Sequence, residues 1–149
     1  MAVQTTPRAE VFSITSPYLS SGRTTTFVSR TDLMSVAIKV YSEGGENALH
    51  THAFEDHAFV VLEGEATFFD EEDIPTVVKP YQGIALPRGA YYRFEATGDR
   101  NLVLLRFGAS VLGKTGDSRL NIDGGPLPSD SAENKQIPGV PIVGKFFGE

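Results

Sequence analysis

The chain has 149 residues and only three histidines, His50, His52 and His57, which crowd into the stretch HTHAFEDH. On a β-strand, His50 and His52 point to one face while Thr51 points to the other. Ala53 to Asp56 read as a polar corner. His57-Ala58-Phe59-Val60-Val61-Leu62 then forms a second strand-like run, stopped by the turn signal Glu63-Gly64. If the two runs are neighbours folding back on each other, His57 returns to the face that carries the other two rings. Three neutral imidazoles meeting at one point are suited above all to holding a metal ion. His50, His52 and His57 are therefore the expected ligands.

The elements that must position them read as strands. Phe27 to Arg30 and Leu33 to Tyr41 are the first clear ones. In the second, Val36, Ile38 and Val40 alternate with Ala37, Lys39 and Tyr41, as in a half-buried strand. Ser42 to Asn47 is rich in turn formers and leads into the histidine strand. Phe59 and Val61 share the face of His57 and would give the site an apolar floor, faced from the returning strand Glu65 to Phe69. Asp70 to Asp73 reads as a solvated charge run. Further on, Tyr92, Phe94 and Ala96 share one face and Tyr91, Arg93 and Glu95 the other. Arg93 and Glu95 favour water, so Tyr92 and Phe94 are expected to face the interior. Asn101 to Phe107 is the last clear strand of the set.

These residues also carry a resemblance. Gly44-x5-His50-x-His52-x4-His57-x6-Gly64 resembles the first motif of the cupin superfamily, with His57 where glutamate is usual. The resemblance implies an all-β double-stranded β-helix, a jelly-roll barrel, with ligands projecting into its mouth and Gly64 as a hairpin-turn glycine of positive φ. Tyr81 to Ala96 is similar to the second motif. There Tyr81 replaces the opening glycine, Ala96 the closing asparagine, and Tyr92 the usual fourth histidine ligand. A neutral phenol is a poor ligand and a good hydrogen-bond donor, so Tyr92 is the expected catalytic proton donor, with a packing aromatic as its bland alternative. The family also tolerates a shorter gap that lands on Asp56. That would give two histidines and one carboxylate, although the spacing to Gly64 favours His57. Glu55 has no such register and is expected to face solvent.

Composition bounds the rest. Forty per cent hydrophobic residues, ten Phe, fifteen Gly and nine Pro fit one globular domain of strands and turns. Residues 1–25 read as an N-terminal arm, 26–112 as the barrel, and 113–149 as an irregular tail. The tail's apolar end, Ile142 to Phe147, should dock on the barrel or on a partner subunit. A net charge of −6 and a pI near 5.0 disfavour nucleic acid and anionic membranes as partners. With no cysteine, disulfides, thiolate ligands and a cysteine nucleophile are excluded. No stretch reads as a signal peptide or membrane span, so a cytoplasmic protein is expected, and a homodimer.

A site of three neutral imidazoles keeps the full charge of a divalent ion and favours small anionic, chelating substrates. Fe(II), Zn, Mn, Ni and Cu all suit such ligands. The resemblance favours Fe(II) and a dioxygenase acting on thiols or diketones. A metal-dependent isomerase or lyase, and a non-enzymatic small-ligand binder, are the other readings.

Overall fold

The computed structural model describes residues 6–111, 114, 118–128 and 137–149. The described residues form strands and turns without a helix. In chain order the strands are β1 (Ser16–Ser21), β2 (Arg23–Arg30), β3 (Met34–Tyr41), β4 (Gly45–His52), β5 (Glu55–Glu63) and β6 (Glu65–Phe69). They continue as β7 (Pro75–Val78), β8 (Gly83–Leu86), β9 (Tyr92–Thr97), β10 (Leu102–Ser110), β11 (Arg119–Leu120) and β12 (Val140–Phe147). Two five-stranded sheets, β2-β3-β10-β5-β8 and β11-β4-β9-β6-β7, make the jelly roll, and β1 pairs with β12 in a separate ribbon. No helix among the described residues is long and apolar enough to cross a membrane.

Alternation along each strand sets the core. Phe59 and Val61 on β5, Ala66 and Phe68 on β6, Phe94 on β9 and Leu102 and Leu104 on β10 all turn into the space between the sheets. Rings dominate there. Phe68 stacks on Phe94 at 4.8 Å, and Tyr41 meets Phe94 edge-on at 5.3 Å. The second face of β3 is buried as well. Ile38 and Val40 pack with Leu19 and Val103, joined by Phe147, in a smaller cluster on the outer side of the sheet. The expected half-buried β3 is thus buried on both faces, because the β1–β12 ribbon covers what would be its wet side. Arm and tail, expected to be irregular, contribute that ribbon. Its pairing runs from Ser16 opposite Phe147 to Ser21 opposite Val140 and is broken by irregularities near Leu19. β1 alone is too short and polar to announce itself, and the apolar end of β12 marks a docking segment whose strand form comes from pairing with β1. The start of the tail at Gly113 lies outside the described residues.

Two turns fix the crossings between sheets. Gly64 has φ +79°, and a Cβ there would meet the Asn101 carbonyl oxygen at 2.4 Å, so only glycine fits. The turn is not the hairpin that was expected: β5 and β6 lie in different sheets and the chain crosses at Gly64 from one to the other. Tyr81 stands where the second motif opens with glycine, and it keeps a glycine-like backbone with φ +69° while its side chain is exposed. A left-handed conformation costs a non-glycine residue roughly 1–2 kcal/mol, part of which glycine gives back in chain entropy. Tyr81→Gly should therefore raise stability by up to about 1 kcal/mol, seen as a higher urea midpoint at unchanged slope. An unchanged or lower midpoint would mean that packing of the Tyr81 ring offsets the strain.

Candidate metal centre

The histidines converge, but not by a hairpin. β4 pairs with β9 and β11, whereas β5 pairs with β10 and β8, so the two histidine strands belong to facing sheets. The corner between them is only Ala53-Phe54, shorter than the four residues expected. The short corner places Glu55 already on β5, two residues before His57 and on the same face. This overturns the expectation that Glu55 faces solvent. Asp56 takes the outward parity instead, where its Oδ1 accepts from the Arg88 backbone N–H at 2.9 Å and its side chain is largely exposed.

Within the barrel, His52, Glu55 and His57 bring one ligand atom each to within 4.8 Å of one another. The imidazoles of His52 and His57 lie 4.0 Å apart, centroid to centroid. The Tyr92 hydroxyl sits between them, 3.4 Å from His52 Nε2 and 3.4 Å from His57 Nδ1. The outer nitrogen of each ring is tied down. His57 Nε2–H donates to Glu55 at 2.8 Å, and His52 Nδ1 lies 3.0 Å from Ser118 Oγ. With its proton held on Nε2, His57 turns the Nδ1 lone pair towards Tyr92. Anchoring the far nitrogen in this way is how proteins fix the tautomer and aim of a ligating histidine.

His50 is in the same nest of rings yet engaged differently. It lies directly opposite Tyr92 on β9, with ring centroids 4.3 Å apart. His50 Nδ1–H donates to the Ala48 carbonyl at 2.7 Å, which leaves a lone pair on Nε2. Among the described residues that atom is buried without a hydrogen-bond partner, and it lies 3.5 Å from a Glu46 oxygen that lacks one too. His50 is thus not part of the His52–Glu55–His57 group, although its free lone pair is what a cation would satisfy. These donors suit a divalent metal: two imidazole lone pairs aimed inward, a carboxylate beside them, and an orphaned nitrogen at the edge.

Beneath the histidines is a charged layer that the sequence reading did not include. Lys39 Nζ donates to Glu46 Oε1, and Arg119 Nη2 lies 3.9 Å from the same oxygen, all three side chains being nearly inaccessible. Burial works to raise the Glu46 carboxyl, but Lys39, Arg119 and His50 outweigh it and hold it well below the usual range. Burial lowers Lys39 to about 8 against the pull of Glu46. Burial also drives His52 down to about 2, reinforced by His57 and His50, so its imidazole stays neutral and ready to ligate. Burial, then Glu46, push the Tyr92 phenol well above its ordinary value, and it remains a protonated donor. Arg119 and Ser118 come from the expected tail, where β11 runs opposite His52 and Thr51. Nothing in Ser118-Arg119-Leu120 marks these residues as part of a site. Glu55, by contrast, could have been found from its spacing of two to His57.

Above the group lies a cavity of ≈ 580 Å³ reached between the β2–β3 turn and the β4–β5 corner, with His52, Glu55 and His57 in its wall. Its size is that of a small-molecule site.

Residues 37–108 match the family model described as a cupin domain, so this part of the chain is a cupin domain with the fold of the cupin superfamily. Comparison with curated proteins gives no match. Among solved structures, the chain is similar to a conserved protein with a double-stranded β-helix domain from Klebsiella pneumoniae. That likeness has 20% identity and a TM-score of 0.61, over 75% of this chain and 97% of that one. It is also similar to a cupin superfamily protein from Desulfitobacterium hafniense, at 15% identity and TM-score 0.51 over 60% and 78% of the two chains. A third is a provisionally named mannose-6-phosphate isomerase from Ralstonia eutropha, at 15% identity and TM-score 0.57 over 64% and 91%. At these identities the likeness is one of fold.

Proposed function

We propose that the protein is a metal-dependent cupin enzyme of the Fe(II) dioxygenase type, acting on a small anionic substrate that chelates the metal. The observation that carries this reading is the His52–Glu55–His57 group in the wall of a cavity of substrate size. Two histidines and one carboxylate with open positions are the donor set of non-haem Fe(II) oxygenases. His52 and His57 would hold the ion and Glu55 would be the carboxylate, or the group that orients His57. His50 is the further donor through its unpartnered Nε2. When bound, the ion would polarise substrate and provide redox chemistry. Tyr92 supplies a neutral O–H at the point where the two histidines meet, to donate to a developing oxyanion or position it. Phe59 and Phe68 close the floor beneath Tyr92, within 6.2 Å of its ring, and keep water from that side.

The test is elemental analysis of protein purified without added metal or chelator, beside His52→Ala, Glu55→Gln and His50→Ala. His52→Ala should lose the metal and keep its fold. Ser118→Ala should keep the site but bind about 10–100-fold more weakly, the usual cost of losing an orienting partner. Near-stoichiometric iron with oxygen uptake on thiols or diketones would support the reading. Zinc, manganese or nickel without oxygen uptake would transfer it to an isomerase or lyase relying on Tyr92. A full complement of metal in His52→Ala would remove the ligand assignment.

A further inference from the structure

Among the described residues, four cationic side chains, Arg30, Arg106, Lys114 and Arg119, line the cavity beside the histidines, against two carboxylates, Asp32 and Glu55. An excess of positive charge in this cleft runs against the chain's net charge of −6. Arg106 is the most deliberately placed of the four. It lies on β10 at the inward parity of Leu102 and Leu104, one turn of the alternation above the apolar core. Its Nη2 donates to Ser35 Oγ at 3.4 Å, a long bond that leaves most of the fork uncommitted. Its Nε is buried and has no hydrogen-bond partner among the described residues. A buried N–H of a charged group left unmatched is costly, and a ligand oxygen is the natural way to satisfy it. Phe27 stiffens the arrangement. The Arg30 guanidinium stacks on its ring at 3.6 Å and Arg106 lies 5.1 Å from the same centroid.

We propose that Arg106 is the specificity-determining residue of this cavity and that it receives a carboxylate of the substrate, while the rest of the molecule reaches the His52–Glu55–His57 group. The inference deepens the reading above by naming the substrate class as a small carboxylic acid. A carboxylate is planar and matches the guanidinium fork with two parallel N–H···O bonds, which a lysine cannot copy. Arg30, exposed at the mouth, steers the anion in and contributes less.

The probe is benzoate, titrated by calorimetry and by amide NMR shifts into the full chain as purified, and again after chelator treatment. Benzyl alcohol serves as the uncharged counterpart and inorganic phosphate as the competing anion. Saturable benzoate binding in both preparations is expected, at least tenfold tighter than benzyl alcohol and tighter than phosphate. Arg106→Gln should weaken benzoate at least tenfold and Arg30→Gln only about two- to threefold. Arg106→Lys keeps the charge but loses the fork, so it should also bind markedly more weakly. It serves as the deciding variant should Arg106→Gln fail to fold. Equal binding of the alcohol, preference for phosphate, absence of saturable benzoate binding, or indifference to both Arg106 variants would each overturn the proposal. Binding that disappears with the metal and ignores Arg106 would assign the anion to the ion and overturn it as well. Because the chelated preparation tests Arg106 alone, a protein that binds no metal can still pass, and one that binds metal can still fail.

Discussion

Glu46→Gln should destabilise the fold by about 3–5 kcal/mol, the range for removing one partner of a buried ion pair. Glu46 is the negative charge on which Lys39 and Arg119 both converge within the barrel. Without it, two cations face each other in a space walled by Tyr41, Phe59 and Phe94, whose rings lie 5.7 to 6.0 Å from Lys39 Nζ. Contact with those ring faces offsets only part of the lost pairing. The two cations also differ in their escape. Lys39 is already lowered to about 8 and can give up its proton, whereas a guanidinium cannot. The deficit of Glu46→Gln should accordingly shrink as pH rises from 7 to 9. Lys39→Met should cost clearly less, since Glu46 keeps Arg119 as its counter-ion and the methionine fills the aromatic space. Urea midpoints of the two variants across that pH range decide the matter. Equal losses in both would show that the layer is held by packing and not by charge balance.

This layer also shows what the sequence could and could not disclose. Period-two alternation was enough to turn Phe59, Val61, Tyr92 and Phe94 inward, because on β5 and β9 the outward residues include Asp56, Arg93 and Glu95, which favour water. On β3 the same rule points to Val36, Ile38 and Val40, yet the barrel-facing set is Ala37, Lys39 and Tyr41. A strand buried on both faces has no wet side for the pattern to report. Its polar face passed for solvent because the partners that neutralise it, Glu46 and Arg119, are distant in sequence. The histidine cluster was legible from three histidines crowded into one short stretch, and the jelly roll only through the resemblance of two motifs to the cupin family. The pairing behind the cluster was not. Sequence neighbours suggested a hairpin, while strand order puts β4 and β5 in opposite sheets. Glu55 entered the group and Asp56 left it through a corner two residues shorter than its polarity suggested. Ser118 and Arg119 could not have been named, since a two-residue strand among turn formers has no periodicity to detect.

Metal-free protein should lose stability steeply as pH falls below about 6.5, well before its carboxylates titrate. Burial lowers the pKa of both His50 and His52, the latter to about 2. A histidine held below its unfolded value of about 6.5 takes up a proton in the unfolded chain and refuses it in the folded one. The unfolded state therefore binds more protons, and stability falls with falling pH until the folded value is reached. Each such histidine contributes about 1.4 kcal/mol per pH unit, so His52 alone should remove roughly 3 kcal/mol between pH 6.5 and 4.5. His50 acts in the same direction. Only below about 4.5 should Glu46 and Glu55 join them, since carboxylates held low in the fold stabilise it above their unfolded value and cease to do so as they are protonated. Two slopes are thus expected in a plot of urea midpoint against pH. His52→Gln, which keeps an amide to meet Ser118, should flatten the upper one by about one proton and leave the lower one in place. A bound divalent ion should raise the whole curve and keep or steepen the upper slope from the same onset, because unfolding then releases the metal while the freed imidazoles take up protons. A wild-type curve that stays level between pH 6.5 and 4.5 would mean the histidines accept protons in the folded barrel. Glu46 and Glu55 would then be their counter-charges and not the partners of Lys39 and a metal ion.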